Sequence, residues 1–184
     1  MSDEVLGFAE EVGKDIARLQ GRIYEGSGSP VDKIAAPVGA IYTDSAATTG
    51  AIQWIKTSGT GTTGWRVEYG DTGWRNIDAM LPTGWGGRTK ITRRGTTVQI
   101  ASANLRPQST GASTLFDIPA GFRPSGDHAY GVVEDSGAFS IVRAGVFSPN
   151  DVVVFPTQVN SWLSYSITYQ TSDAWSATLP GTPA

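Results

Sequence analysis

Glycine and proline are too frequent in this chain for long helices to make up most of its fold. The 184 residues include 23 glycines and 10 prolines, and both residue types interrupt helices. The length suits one domain or two small ones, and a hydrophobic fraction of 39% supports a modest core. We therefore expect a mainly β fold in which short strands alternate with turns.

The first 25 residues differ from the rest because apolar side chains recur there in alternating steps of four and three. This spacing is typical of the a and d positions of a coiled coil. It predicts a self-associating stem helix over 1–25, and Phe8 and Leu6 widen the stripe enough to favour a homotrimer. An amphipathic helix that lies on its own domain is the alternative. The stripe consists of Val5, Ala9, Val12, Ile16, Leu19 and Ile23.

Two further segments precede the C-terminal half of the chain. Glycine, serine and proline predict a linker over 26–33. Over 34–87, short alternating runs are separated by Gly, Thr, Ser and Asp, which is typical of a β-meander. The candidate strands cover 38–42, 51–56 and 65–69. We interpret 34–87 as a small β shoulder.

A Thr-Gly-Trp sequence occurs three times, at 63–65, 72–74 and 83–85. Glycine can adopt the positive φ that a tight turn needs, and tryptophan provides a large, rigid surface. One interpretation is a stacking platform for sugars or bases. We favour a structural role, in which each indole covers a thin sheet.

Residues 88–94 contain four of the 14 basic residues of the chain. They alternate with threonine and isoleucine as in a strand, and no aromatic ladder lies between them. With a net charge of -3, the chain also lacks the excess of basic residues that is typical of nucleic-acid-binding proteins. We expect a solvated strand or an ion pair between subunits, and no nucleic-acid partner.

The C-terminal segment 88–184 contains further runs in which apolar and polar residues alternate with a period of two. The clearest covers 162–170, where one face is apolar and the other is largely polar. With no helical segment between the runs, the pattern predicts an antiparallel β-sandwich or jelly-roll head. The remaining candidate strands are 97–100, 114–118, 129–133, 139–147 and 152–155.

Side chains suited to catalysis or metal binding are scarce. The chain has no cysteine and one histidine, His128, which excludes thiol chemistry and sites with two imidazoles. Glu134 and Asp135 are adjacent on an extended chain, so they point to opposite faces and cannot flank one glycosidic bond. Asp71 and Asp151 are typical turn residues. We expect no enzymatic activity, no cofactor and no metal.

The sequence shows no feature that predicts a membrane association. No apolar run approaches the roughly 20 residues of a membrane-spanning helix. The acidic start at residues 1–4 is also unlike a signal peptide. We expect a soluble protein without membrane insertion.

Two segments of the shoulder resemble a short module found in tail proteins of phages that infect Gram-positive bacteria, especially actinobacteria. The first is 36–42, with the sequence APVGAIY, and the second is 52–65, with the sequence IQWIKTSGTGTTGW. The usual form of the module is Pro-x-Gly-x-x-Tyr, a turn, and then a Tyr-x-Lys-x-x-Gly-x-Gly-x-x-Gly-Trp hairpin. Trp54 stands where tyrosine is commoner.

Later segments are similar to the terminal domain of the same tail proteins. They are 71–75 (DTGWR), 84–85, 92–100 (TRRGTTVQI) and the turn 118–124 (IPAGFRP). The resemblance implies a trimeric tail fibre with a stem, a shoulder and a receptor-binding head. Its partners would be itself, a host cell-wall saccharide or teichoic acid, and a tail-tip or baseplate protein. Such a protein is made in the host cytoplasm and resides in the virion.

Two other functions remain open at this stage. A structural tail-tip subunit, or a fibre that decorates the capsid, would show the same composition and the same alternation of short strands and turns. A tail spike that cleaves polysaccharide is a third possibility, although it would need a pair of carboxylates and a longer chain.

The direction of successive strands predicts where a receptor would bind on the head. If each strand reverses, the loops 106–113, 134–137 and 156–161 lie at one end, and the loops 119–128 and 148–151 lie at the other. The first end offers short polar groups beside a tryptophan that could stack on a sugar. Packing of this tryptophan on a neighbouring subunit is the alternative. The candidate receptor-binding residues are Trp162, Asn160, Gln158, Gln108 and Asp135.

Overall fold

The chain is mainly β, with one short α-helix in the part that the computed structural model describes. The described residues are 3–108, 110–125, 129–135, 140–147, 151–156, 159 and 162–184. Their elements are α1 (Asp3–Gln20), β1 (Ile23–Gly26), β2 (Ile41–Asp44), β3 (Gly50–Lys56), β4 (Trp65–Asp71), β5 (Arg75–Asn76), a 3-10 helix (Asp78–Met80), β6 (Gly86–Arg94), β7 (Thr97–Arg106), β8 (Ser113–Asp117), β9 (Ala129–Asp135), β10 (Ser140–Phe147), β11 (Asp151–Val154), β12 (Leu163–Gln170) and β13 (Thr182–Pro183).

The chain divides into two compact units, Met1–Gly70 and Asp71–Ala184. Residues 71–87, which the sequence analysis groups with the shoulder, lie in the second unit. The reason is local strand pairing, because β5 joins β6 with Arg75 opposite Ile91.

The helix is shorter than the sequence predicts, so the expected stem helix over 1–25 is wrong at its C-terminal end. It stops at Gln20, and Gly21 donates its N–H to the carbonyl of Ala17 as the last turn closes. Ile23, expected on the helical stripe, instead begins β1 and pairs with Ile41. Glycine ends the helix readily, and β-branched residues such as isoleucine favour strands.

In the first unit, strands β1 to β4 form a mixed sheet in sequence order. β1 runs parallel to β2, and β2 runs antiparallel to β3. Its small core is aromatic: the ring of Tyr42 lies edge-on to Trp54 and Trp65, with centroids 5.6 and 6.2 Å apart. The Trp65 indole N–H donates to the carbonyl of Ile34 over 2.9 Å. Edge-to-face rings stabilise beyond the area they bury.

A buried lysine organises the loop between β3 and β4. The Lys56 side chain is almost completely buried, and its ammonium group donates to the carbonyls of Gly61 (2.5 Å) and Thr63. The same ammonium lies 5.5 Å from the centre of the Trp65 ring. A buried charge is tolerated when hydrogen bonds replace its hydration. Lys56 therefore holds a loop of small polar residues that has no apolar side chain to bury.

In the second unit, the main sheet has the order β6-β7-β12-β9-β10-β11-β8, and every adjacent pair is antiparallel. The strand alternation predicted for 162–170 is confirmed. Within it, Leu163, Tyr165, Ile167 and Tyr169 are buried. Together with Ile100 on β7, they form part of one apolar core.

The basic segment 88–94 forms a strand as predicted, but the expected solvation of its charges is wrong for Arg93. That side chain is buried, and its guanidinium donates to the carbonyls of Gly95, Gly121 and Asp173. It also stacks 4.2 Å from the centre of the Trp175 ring. Burial lowers the pKa of Arg93, and nearby Asp173 opposes that shift.

The Thr-Gly-Trp repeats use their glycines as the sequence predicts. Gly64, Gly73 and Gly84 have φ values of 81°, 61° and 88°. At Gly64 a side chain is also excluded by space, because an added Cβ would lie 2.2 Å from the Ser58 carbonyl oxygen. The structural role favoured for the indoles is confirmed for Trp65, which is buried in the core of the first unit.

Replacing Lys56 with methionine should destabilise the protein. Methionine has a similar length but cannot donate to the two loop carbonyls, and hydrogen bonds to charged groups contribute about 1.5–3 kcal/mol each. For the two bonds together, we expect the free energy of unfolding in urea to fall by about 3–6 kcal/mol. The exposed Lys33→Met is the matched control and should change stability by less than about 0.5 kcal/mol. Equal stability of the two variants would contradict the role of Lys56.

Candidate binding surface

Antiparallel pairing in the second unit gathers many strand termini at one end of the sheet. Strands β7, β9 and β11 end there, and β6, β8, β10 and β12 begin there. We call this the Trp162 end, since Trp162 precedes β12. The strand directions match the alternation assumed in the sequence analysis, so the termini that flank the three candidate receptor-binding loops lie together.

A β-bulge near this end changes which face the side chains of β7 occupy. The register shifts between Gly86 and Arg88 on the β6 side, and between Leu163 and Tyr165 on the β12 side. At the bulge, Asn104 has a φ of 56°, which non-glycine residues seldom adopt. Its N–H donates to the Ser164 hydroxyl over 3.3 Å.

The bulge depends on close backbone packing at Gly87. A Cβ at this position would lie 2.7 Å from the Asn104 carbonyl oxygen and 2.8 Å from the Leu105 Cα. Gly87 also has a φ of 120°, which strains any other residue. Glycine is therefore required for the chain to make the bulge here.

The bulge brings Arg106 and Trp162 to the same face. Up to Ser102, every second residue of β7 faces the core, but beyond the bulge Leu105 is buried and Arg106 is exposed. Trp162 immediately precedes β12. The first residue of β12, Leu163, is buried and pairs with Leu105. The Arg106 guanidinium consequently lies 4.1 Å from the centre of the Trp162 ring.

This pair presents both an aromatic surface and hydrogen-bond donors to solvent. Trp162 is 41% exposed, although tryptophan side chains are highly buried on average. A guanidinium that lies over an aromatic ring still has N–H groups in its own plane. These groups can donate to hydroxyl, carboxylate or phosphate oxygens. Among the described side chains, none forms an ion pair with Arg106.

Neighbouring loops support the same end of the sheet. The Gln108 amide lies near the Arg106 carbonyl, with an N···O distance of 3.4 Å, and the Gln108 side chain packs beside Gly84. The N–H of Gly111 donates to the Pro156 carbonyl over 3.0 Å. This bond joins the segment after β7 to the segment after β11.

The structure describes part of the predicted receptor-binding set. Trp162 and Gln108 are exposed at the Trp162 end. The backbone of Asp135 reaches the same end, where it pairs with Leu163. Gln158 and Asn160 lie outside the described residues, as does His128.

Arg106 was not among the binding residues predicted from the sequence. Simple alternation from Val98 would place position 106 on the core face, so an arginine there carried no signal of a surface role. A glycine pair at Gly86 and Gly87 was the one available sign, because glycine inside a strand often marks a bulge.

At the opposite end of the sheet, two carboxyl groups meet. Asp117 ends β8 and pairs with Asp151 at the start of β11. A hydrogen bond to Asp117 raises the pKa of Asp151, and burial and the charge of Asp117 act in the same direction. Their backbones pair directly across the sheet, whereas the two carboxyl groups of a glycosidase are separated by at least about 5 Å to flank the bond that is cleaved.

No family model matches the chain, and a comparison with curated proteins finds no similar sequence. Within the described ranges, no cluster of three or more His, Cys, Asp or Glu residues is placed to hold a metal ion. Nor does any helix there have the length and apolar character needed to cross a membrane.

Replacing Asp151 with asparagine should change stability in a pH-dependent way. An acid whose pKa rises on folding binds its proton more tightly in the folded state, so its stabilising contribution is lost as pH rises through the folded pKa. We expect Asp151→Asn to raise Tm at about pH 7 and to lose that advantage towards about pH 4. Asp117→Asn should show the same trend. A pH-independent difference in both variants would contradict this account.

Proposed function

We propose that this protein is a phage tail-fibre subunit that attaches the virion to a saccharide on the host cell surface. The observation that carries the proposal is the exposed Trp162 stacked with Arg106 on a polar sheet face. Aromatic rings stack on the apolar faces of sugars, and arginine donates to their oxygens. The sequence resemblance to tail proteins of phages of Gram-positive bacteria supports the same function.

The bulge at Asn104 adds support to this assignment. Asparagine adopts a positive φ more readily than most non-glycine residues, and β-bulges often re-aim side chains next to functional sites. Here the bulge moves Arg106 beside Trp162. A regular strand would have placed the arginine towards the core, so the bulge both buries Leu105 and exposes Arg106.

The proposed fibre is a homotrimer held by a short coiled coil, with a jelly-roll head. On α1, the side chains of Phe8, Val12, Ile16 and Leu19 are exposed. An exposed apolar stripe of this kind is usual where helices associate. Three weak saccharide sites on one fibre, and many fibres per virion, would together give firm attachment.

A structural tail-tip or capsid-decorating subunit is the second candidate. It would use the same exposed stripe for assembly but would not need an accessible Trp162, which would then pack on a neighbouring subunit. A polysaccharide-cleaving spike is third, and release of reducing ends from purified host polysaccharide would favour it.

Replacing Trp162 or Arg106 with alanine should weaken binding to host cells. Each change removes a direct contact to the saccharide, so we expect at least about a tenfold loss of affinity, equivalent to about 1.4 kcal/mol. The measurement is binding of labelled protein to host cells and its competition with phage adsorption. Circular dichroism and particle mass should show that the variants remain folded and assembled.

Two matched controls locate the effect. Gln99→Ala changes the same polar face further from the Trp162 end, and Arg123→Ala changes the opposite end; both should bind as the unmodified protein does. Undiminished binding of the Trp162 and Arg106 variants would contradict the assigned surface. A loss restricted to Arg123→Ala would place the receptor at the other end.

Charged substitutions on the helical stripe should prevent assembly. In a trimer, Ile16→Glu or Leu19→Glu would bury three carboxylates near one axis, which is costly. Sedimentation at micromolar concentration should give three chains per particle for the unmodified protein and fewer for these variants. Ala17→Glu adds the same charge on another helix face and should leave the mass unchanged. A mass of one or two chains for the unmodified protein would contradict the trimer.

A further inference from the structure

An exposed row of isoleucines crosses the sheet of the first unit. Strand register places Ile23 opposite Ile41, and Ile41 opposite Ile55, on three successive strands. Ile23 is 68% exposed and Ile41 is 39% exposed, whereas Ile55 is half-buried. We call these three residues the isoleucine row.

The isoleucine row has a sharp boundary on its own sheet face. The next row of residues on the same sheet face consists of Glu25, Thr43 and Gln53, each two positions from an isoleucine of the row. On the opposite face, Tyr42 and Trp54 fill the aromatic core. The apolar row therefore lies across three strands, near the end of the sheet at which β1 begins.

The row begins close in sequence to the end of the apolar stripe of the helix. Leu19 lies at the C-terminal end of α1, and Ile23 begins β1 four residues later. Apolar residues aligned across strands stabilise when something covers them, and exposed apolar patches of this kind mark contact surfaces. Along the chain, the first residue of the row therefore follows the last exposed apolar residue of the helix by four positions.

The length of the helix indicates what covers the row. A helix of 18 residues contains about two and a half heptads, which are too few to hold an oligomer alone. In a symmetric assembly, residues close to the axis meet their equivalents in the other copies. The row supplies the additional apolar surface that the short stem lacks.

We propose that the isoleucine row is a second contact surface between copies of this chain, in addition to the helical stripe that precedes it. The inference rests on the proposed self-association through α1 and adds a contact within the β unit. In it, copies of Ile41 approach one another as copies of Ile16 and Leu19 do. Assembly therefore holds the sheets of the first unit together, beyond the helices.

The absence of cysteine from the chain makes cross-linking a direct test. Three single-cysteine variants of the full chain, Ile41→Cys, Leu19→Cys and Tyr69→Cys, are treated with a short bis-maleimide at micromolar concentration. The proposal predicts covalent products between copies for Ile41→Cys and Leu19→Cys. The exposed Tyr69, on β4 of the same unit, should give none.

A second measurement follows assembly by sedimentation. Ile41→Glu should raise the protein concentration needed for half-assembly by at least about tenfold, because the charge becomes buried between copies. Ile41→Val should assemble normally, and Tyr69→Glu controls for added charge. Fluorescence of the buried Trp54 and Trp65 shows whether each variant is folded.

The outcomes separate this inference from the trimer proposal. If the unmodified chain is a monomer, both are overturned. A second outcome is that the unmodified chain assembles and Leu19→Cys cross-links, but Ile41→Cys does not cross-link and Ile41→Glu assembles normally. That outcome overturns only the proposed contact through the isoleucine row.

Discussion

Each unit of this protein depends on a buried cation whose partners are backbone carbonyl groups. Lys56 serves this role in the first unit and Arg93 in the second. Both lie beside a tryptophan ring. Because a cation in the interior must keep its hydrogen bonds, carbonyls from glycine- and threonine-rich loops are drawn in around it. The loop held by Lys56 becomes ordered without an apolar side chain of its own, whereas the segment around Gly121 also buries Phe122 in the core.

This way of ordering loops leaves the sheet surfaces free for other uses. In the second unit, the core lies on one face of the strands, and the bulge at Asn104 turns Leu105 to that face and Arg106 to the other. The positive φ of Asn104 and the close approach at Gly87 are local costs. They are offset by the surrounding sheet, and their result is the stacking of Arg106 on Trp162. Arg106 is the last residue of β7 and Trp162 immediately precedes β12, so pairing of these two strands positions the backbone at both residues.

The sequence predicted most strands because alternation along a half-buried strand is a local property. It missed the features that arise from distant parts of the chain. The burial of Arg93 needs carbonyls from Gly121 and Asp173, and Ile23 leaves the helical pattern because it pairs with Ile41. At the candidate surface, Trp162 is exposed as predicted. The exposure of Arg106 was not predicted, because the bulge reverses the alternation of buried and exposed residues along β7.

The central claim is that the Trp162 end binds a host saccharide, and the indole signals of the six tryptophans test it most directly. In a titration of the labelled protein with host cell-wall polysaccharide, followed by NMR, the account predicts a progressive shift of the Trp162 signal, assigned with Trp162→Phe. Buried Trp54 and Trp65 should not respond. A bound polysaccharide that leaves the Trp162 signal unchanged would contradict the account.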